Sequence, residues 1–305
     1  MGRLNLRVPA CSNGEMKANG SGRTNHLDEN QVYMKSIQVL IPMICGVLTA
    51  ACTSEDERLS DGEVADVISE SLVDAYFEDT DDMALTAVTS EDSPVNGRIA
   101  SDDRFCTAVH FSGTKLSGEI TLDFGDGCTD PRGNTRSGII RLNYSGGPAG
   151  SAGFTVALTF DDYVVNGVTL SGTRTLRRLA SDDPALIRHE ITLENGRAQW
   201  ADGSESTRSS NFIREINTVD ETVRLDGHAD GVNRRGRDYS MHIDETLVYK
   251  RECVLSDGIY MAVEGIKTFV SGNRSMVIDY GSGACDRTVT VKLSDGTATT
   301  LAINK

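Results

Sequence analysis

From Phe105 onward apolar and polar residues alternate with a period of two, and that alternation restricts the chain to β-sheet. Ile120-Thr121-Leu122-Asp123-Phe124, Phe154-Thr155-Val156-Ala157-Leu158-Thr159-Phe160 and Val289-Thr290-Val291-Lys292-Leu293 are the clearest runs. Such strands bury one face and wet the other. Turn dipeptides punctuate the runs. Asn166-Gly167 joins Tyr163-Val164-Val165 to Val168-Thr169-Leu170, and Asp202-Gly203 and Asp295-Gly296 mark further turns. Asn195-Gly196 reads as another hairpin, between Ile191-Thr192-Leu193 and Ala198-Gln199-Trp200. Asn-Gly and Asp-Gly suit the type I′ hairpin, whose two central residues need positive φ. About 12 strands fit between Phe105 and Ile303 at this turn spacing. No helix pattern alternates with them, which excludes a parallel α/β sheet. The expected fold is mainly β: an antiparallel meander over residues 104–305, forming a sandwich or a strongly curved sheet or barrel, with one N-terminal helix.

That helix falls in residues 59–103, followed by a loop over 89–103. Ser60 and Glu63 have the capping-box spacing, in which each side chain satisfies a free N–H of the first turn. Val64, Val67, Ile68, Leu72 and Ala75 recur at helical spacing. The helix is expected to fade near Phe77, because Glu78-Asp79-Thr80-Asp81-Asp82 would oppose the negative end of a helix dipole. A half-buried sheet needs a cover, and this helix could supply it.

The stretch from Ile37 to Ala51 (IQVLIPMICGVLTAA) is too short to span a bilayer but suits the apolar core of a signal peptide, with Lys35 before it. Residues 34–51 therefore read as a leader. Residues 1–33 are polar and aperiodic, an artefactual or disordered extension ahead of Met34. The order Leu48-Thr49-Ala50-Ala51-Cys52 resembles the lipobox of bacterial lipoproteins. That resemblance implies cleavage before Cys52 and lipidation of its thiol. The acidic tether that follows, Thr53-Ser54-Glu55-Asp56-Glu57 within residues 52–58, resembles the export signal of Bacteroidetes surface lipoproteins. The implied address is the outer membrane, on its periplasmic face or at the cell surface, with the lipid as membrane partner.

Four cysteines lie beyond the tether: Cys106, Cys128, Cys253 and Cys285. An even count in an exported chain implies two disulfides. Three pairings exist, and the sequence-local one, Cys106–Cys128 with Cys253–Cys285, is preferred. The flanking sequences echo each other. Asp123-Phe124-Gly125-Asp126-Gly127-Cys128 matches Asp279-Tyr280-Gly281-Ser282-Gly283-Ala284-Cys285, each with an Asp soon after. Lipobox, acidic tether and this repeated strand–Gly–Cys–Asp pattern together resemble uncharacterised Bacteroidetes lipoproteins.

Few residues suggest chemistry. Gly125-Asp126-Gly127 lacks the Gly-Lys-Ser/Thr ending of a phosphate loop. Asp126, Asp130 and Asn134 do not follow the EF-hand calcium spacing. His110, His189, His228 and His242 lie in no Cys/His cluster, and there is no G-x-S-x-G elbow. No catalytic residue, metal ligand or cofactor is assigned. Trp200 is expected in the core or beside a neighbouring strand, and Arg234-Arg235-Gly236-Arg237 in a turn that could dock an acidic partner. The net charge of -15 makes nucleic acid an unfavourable partner. The function class expected is a lipid-anchored binding or structural protein, with a glycan or a small apolar ligand as candidate partner. A carrier of a lipid or small apolar ligand is the alternative, and a glycan-active enzyme ranks third. A continuous apolar cavity inside the sheet would favour the carrier; a filled core with exposed aromatics would favour binding or scaffolding.

Overall fold

The computed structural model describes residues 59–89, 106, 108–131, 133–257, 259 and 261–303, all within the compact unit Thr53–Lys305. The extension, the leader, Cys52, the tether and most of the 89–103 loop lie outside the described residues. Helix α1 spans Asp61–Thr89. The strands are β1 (Ala108–Gly113), β2 (Gly118–Asp123), β3 (Cys128–Thr129), β4 (Thr135–Ser145), β5 (Thr155–Val165), β6 (Val168–Arg178) and β7 (Leu186–Trp200). They continue as β8 (Glu205–Asn217), β9 (Thr222–Val232) and β10 (Asp238–Lys250); then come a short helix, α2 (Arg251–Asp257), and β11 (Glu264–Ser271), β12 (Arg274–Ser282), β13 (Thr288–Leu293) and β14 (Ala298–Ala302).

All fourteen strands form one antiparallel sheet, a meander in chain order from β1 to β14, with the two-residue β3 paired only to β4. The sheet does not close: β1 and β14 are its edges. Its outer face is polar and laced with cross-strand ion pairs, such as Arg177 with Glu190 at 2.6 Å and Arg141 with Asp161 at 2.7 Å. Its inner face carries the core, including Ile120, Leu142, Leu158, Leu176, Phe269 and Ile278.

The expected turns are present with one exception. Asn166 and Gly167 have φ of 48° and 79°, the left-handed pair that a type I′ turn requires, and they join β5 to β6. Asn195-Gly196 makes no hairpin. Strand β7 runs straight through it, and the ladders to β6 and β8 shift register there. Asn195, at φ 52°, forms a β-bulge, the other common use of a left-handed Asn beside Gly. The two Cys-bearing turns are alike in detail as well as in sequence. Asp123 accepts a hydrogen bond from the N–H of Gly125 at 2.8 Å, and Asp279 accepts one from Gly281 at 2.9 Å. Disulfides join Cys106 to Cys128 and Cys253 to Cys285, with Cα separations of 5.9 and 5.1 Å.

Helix α1 starts with the expected capping box. The Ser60 N–H donates to Glu63 Oε2 at 2.8 Å, and the Glu63 N–H donates to Ser60 Oγ at 3.3 Å. It does not fade at Phe77 but continues to Thr89. The acidic run therefore sits in the helix interior, where its charges do not meet the C-terminal dipole. The buried face also differs from the expected apolar stripe. Val67 is buried, but Val64, Ile68, Leu72 and Ala75 are only half-buried, while Glu63, Asp66, Glu70 and Asp81 face inward with Val73, Phe77 and Met83. No described helix is long and apolar enough to cross a membrane.

The position of α1 follows from its contacts. Successive helix residues project about 100° apart. Phe77 meets Phe160 of β5, Glu78 meets Tyr249 of β10, Asp79 meets Arg136 of β4, Asp81 meets Arg174 of β6 and Asp82 meets Arg214 of β8. Neighbouring side chains that point in such different directions reach strands of one sheet only if that sheet wraps around the helix. The architecture is thus an open antiparallel meander whose inner face reaches the helix from several sides.

Candidate functional site

The interior of this curl is built from charge as much as from apolar area. Acidic residues recur along α1 every three or four positions: Glu63, Asp66, Glu70, Asp74, Glu78 and Asp81. This period puts them along one side of the helix. The sheet answers with basic side chains at inward-facing positions. Glu63 accepts from Arg274 Nε at 2.8 Å. Asp66 accepts from Asn233, Arg235 and Arg237, at 3.0 Å from Asn233 Nδ2, 2.7 Å from Arg235 Nε and 3.1 Å from Arg237 Nη2. The basic run of the β9–β10 turn thus docks on this chain's own helix. A Cβ on Gly62 would stand 1.8 Å from Arg235 Nη1, so a larger residue there would require the Arg235 side chain to move.

Deeper inside, Asp74 pairs with Arg208 and, at 3.1 Å, with Lys267. Glu70 lies 3.4 Å from Arg208. Asp81 holds Arg174 through two bonds of 2.5 and 2.6 Å, with both side chains buried. Arg136 bridges Asp79 and Asp130, each at 2.7 Å. Asp130 also caps Asn134 through its N–H and side-chain amide, at 2.8 and 3.0 Å, so the acidic turn considered for calcium is engaged in structure.

Burial and partners set the protonation of these acids in opposite directions. Burial pushes Asp74 up, but Arg208 and Lys267 outweigh it and hold its carboxyl below the ordinary range. Glu70 and Glu78 are pushed up to about 7, chiefly by burial, with the Asp74 charge adding to it. Glu78 differs from the rest of the helix series: among the described residues its hydrogen-bond partner is the Tyr249 hydroxyl, which donates to Oε1 at 3.0 Å, while Arg214 and Arg174 act on it through their charge alone.

Glu78 also lines both of the larger cavities. One, of about 490 Å³, lies beside the second half of α1 and is walled by Phe212, Ile216, Val223 and Leu225, with Arg214 and Arg251 among its polar groups. The other, of about 460 Å³, is walled by Met241, Ile243, Leu247, Met261 and Ile303. Ala75, Glu78, Phe212, Leu225 and Tyr249 belong to both walls, so the two spaces adjoin along the helix. A sheet this wide curls into a space that one helix does not fill. The result is a chamber lined by apolar side chains and by many charged ones, Asp74, Asp81, Asp82, Arg174 and Arg208 among them.

The residues singled out from sequence fall elsewhere. Trp200 packs under Arg234, whose guanidinium carbon is 4.5 Å from the ring centroid, so its face is taken. His189 is buried and held neutral, with its pKa lowered to about 4 by burial and by Arg178 and Arg214. Among the described residues, the three groups with ligand atoms within 4.8 Å of one another are Glu252, Cys253 and Cys285, and both sulfurs there belong to the disulfide. The chamber residues were not foreseen. Their signal was a charge in phase with core residues, such as Arg174 with Leu170 and Leu176, or Arg208 with Phe212. No family model, curated protein or solved structure matches this chain.

Proposed function

We propose that the protein is a lipid-anchored extracytoplasmic binding protein that takes up a small apolar or amphiphilic ligand between helix and sheet. The lipobox and acidic tether support the address: Cys52 carries the lipid, and the β domain stands at the outer membrane. One observation carries the binding role, the pair of adjoining cavities along α1, whose walls combine apolar side chains with charged ones. An apolar ligand seated there would make contact with Phe212, Ile216, Leu225 and Met241. Glu78 and Tyr249 lie on the wall shared by the two cavities and offer the ligand's polar end a hydrogen-bonding partner.

Titration of the unit from Thr53 with a fluorescent fatty acid and with a neutral apolar dye tests this reading. Saturable uptake at one site is expected, with affinity on the order of 1 µM. Ala75→Phe fills the shared wall and should weaken uptake at least about tenfold, since a side chain would occupy ligand space. Phe212→Ala, which enlarges the chamber, should retain uptake. Absence of saturable uptake of either probe, or equal uptake by Ala75→Phe, contradicts the binding role.

A further inference from the structure

The outer face of the sheet carries a second candidate site that is independent of the chamber. His228 of β9 and His242 of β10 are directly opposite in the antiparallel register. Their sequence neighbours Ala229 and Met241 are buried, so both imidazoles project to the outer face, and both histidines are exposed. Directly opposed residues have Cβ atoms about 4.5–5.5 Å apart. Two imidazoles at that separation can turn about their χ angles to hold one ion at about 2.0–2.1 Å from each nitrogen.

We propose that His228 and His242 form a surface site for a divalent first-row transition metal, with Zn²⁺ or Ni²⁺ as the fitting class. Imidazole suits these ions, whereas Mg²⁺ and Ca²⁺ prefer all-oxygen sets. Asp244 lies 2.6 Å from His242 Nε2. It is itself fixed by a hydrogen bond of 2.7 Å from Thr268 Oγ1. A carboxylate on one ring nitrogen orients the imidazole and makes the other nitrogen a better donor. In this arrangement Nδ1 of His242 faces the metal and Asp244 is the positioning residue. Asp230 is exposed and opposite Ser240, which makes it the diagonal neighbour of His242 and the same-face neighbour of His228. It forms no three-residue ligand group with the histidines among the described residues, so water completes the shell.

The location gives the site a physical consequence. The β9–β10 ladder is regular from Asp238 to His242, then loses register until Leu247 pairs with Leu225. The histidine pair is the last rung before that break. A bound ion would tie the two strands together where their backbone hydrogen bonds lapse, and so stabilise the folded state by mass action. No sequence-spacing rule pairs these histidines, because register alone brings them together.

Isothermal titration of the full-length chain with Zn²⁺, its free thiols alkylated, is the test. One equivalent should bind, with a dissociation constant on the order of 1–10 µM. His228→Gln and His242→Gln should each weaken it at least about tenfold, because each removes a ligand from an exposed position where folding is unaffected. Asp244→Asn should weaken it about tenfold while leaving the metal-free melting temperature unchanged. Zn²⁺ binding that is indifferent to both histidine variants, or no binding tighter than about 1 mM, overturns the site. Equal affinity in Asp244→Asn overturns the role of Asp244.

Discussion

Asp81→Ala is expected to destabilise the protein by about 3–5 kcal/mol, among the largest losses any single substitution here should cause. Asp81 is fully buried, and Arg174 is nearly so. Their two hydrogen bonds align guanidinium and carboxylate in the bidentate geometry that makes such pairs strong. Removing the acid leaves a buried guanidinium with its main counter-ion gone and a void beside Phe77, over whose ring Arg174 also lies, 5.5 Å from the centroid. The double variant Asp81→Leu with Arg174→Met should recover most of the loss. Apolar residues of similar volume remove the desolvation cost of both charges together. Urea unfolding of the two singles and the double gives the coupling energy directly. A double variant as unstable as Asp81→Ala would show that the pair matters through shape rather than charge.

Cys52→Ser is expected to move the chain from the membrane to the soluble fraction almost completely. The proposed anchor is an acyl chain on the Cys52 thiol, and serine removes the atom that carries it. Each buried methylene contributes about 0.8 kcal/mol to membrane partitioning, so loss of even one acyl chain lowers the partition coefficient by several powers of ten. The acidic surface gives no compensating attraction to an anionic leaflet. Fractionation of native cells, with mass spectrometry of the amino terminus, reads the outcome. A membrane fraction unchanged by Cys52→Ser contradicts the proposed anchor.

The sheet was legible in the sequence because its physics is local. Period two and Asn-Gly or Asp-Gly turns specify strands and hairpins without knowledge of what packs on them, and the meander order follows from short connections. Asn195-Gly196 misled because a left-handed Asn beside Gly serves a bulge as well as a hairpin, and only the neighbouring ladders decide between them. The helix was half legible. Its capping box and start are local features; its end and its inward face are not. Glu78, Asp79, Asp81 and Asp82 look like a solvated terminus until Tyr249, Arg136, Arg174 and Arg214 are brought around them from four strands. The stripe of Val64, Ile68, Leu72 and Ala75 has the period of a core face, but the side of the helix that is buried carries Glu63, Asp66, Glu70 and Asp81. The chamber was not legible at all. Its volume depends on how tightly thirteen consecutive strands curl, a property of the whole sheet rather than of any segment.

Native-state hydrogen exchange of α1 tests most directly whether the sheet encloses the helix. A helix held on several sides by buried ion pairs can release its amides only when the sheet opens. Amides from Val73 to Ala84 should therefore exchange as slowly as those of β7 and β8, with the same dependence on denaturant. Fast exchange of that segment, while β7 and β8 stay protected, would mean that the helix leaves the sheet readily and that the chamber between them does not exist as described.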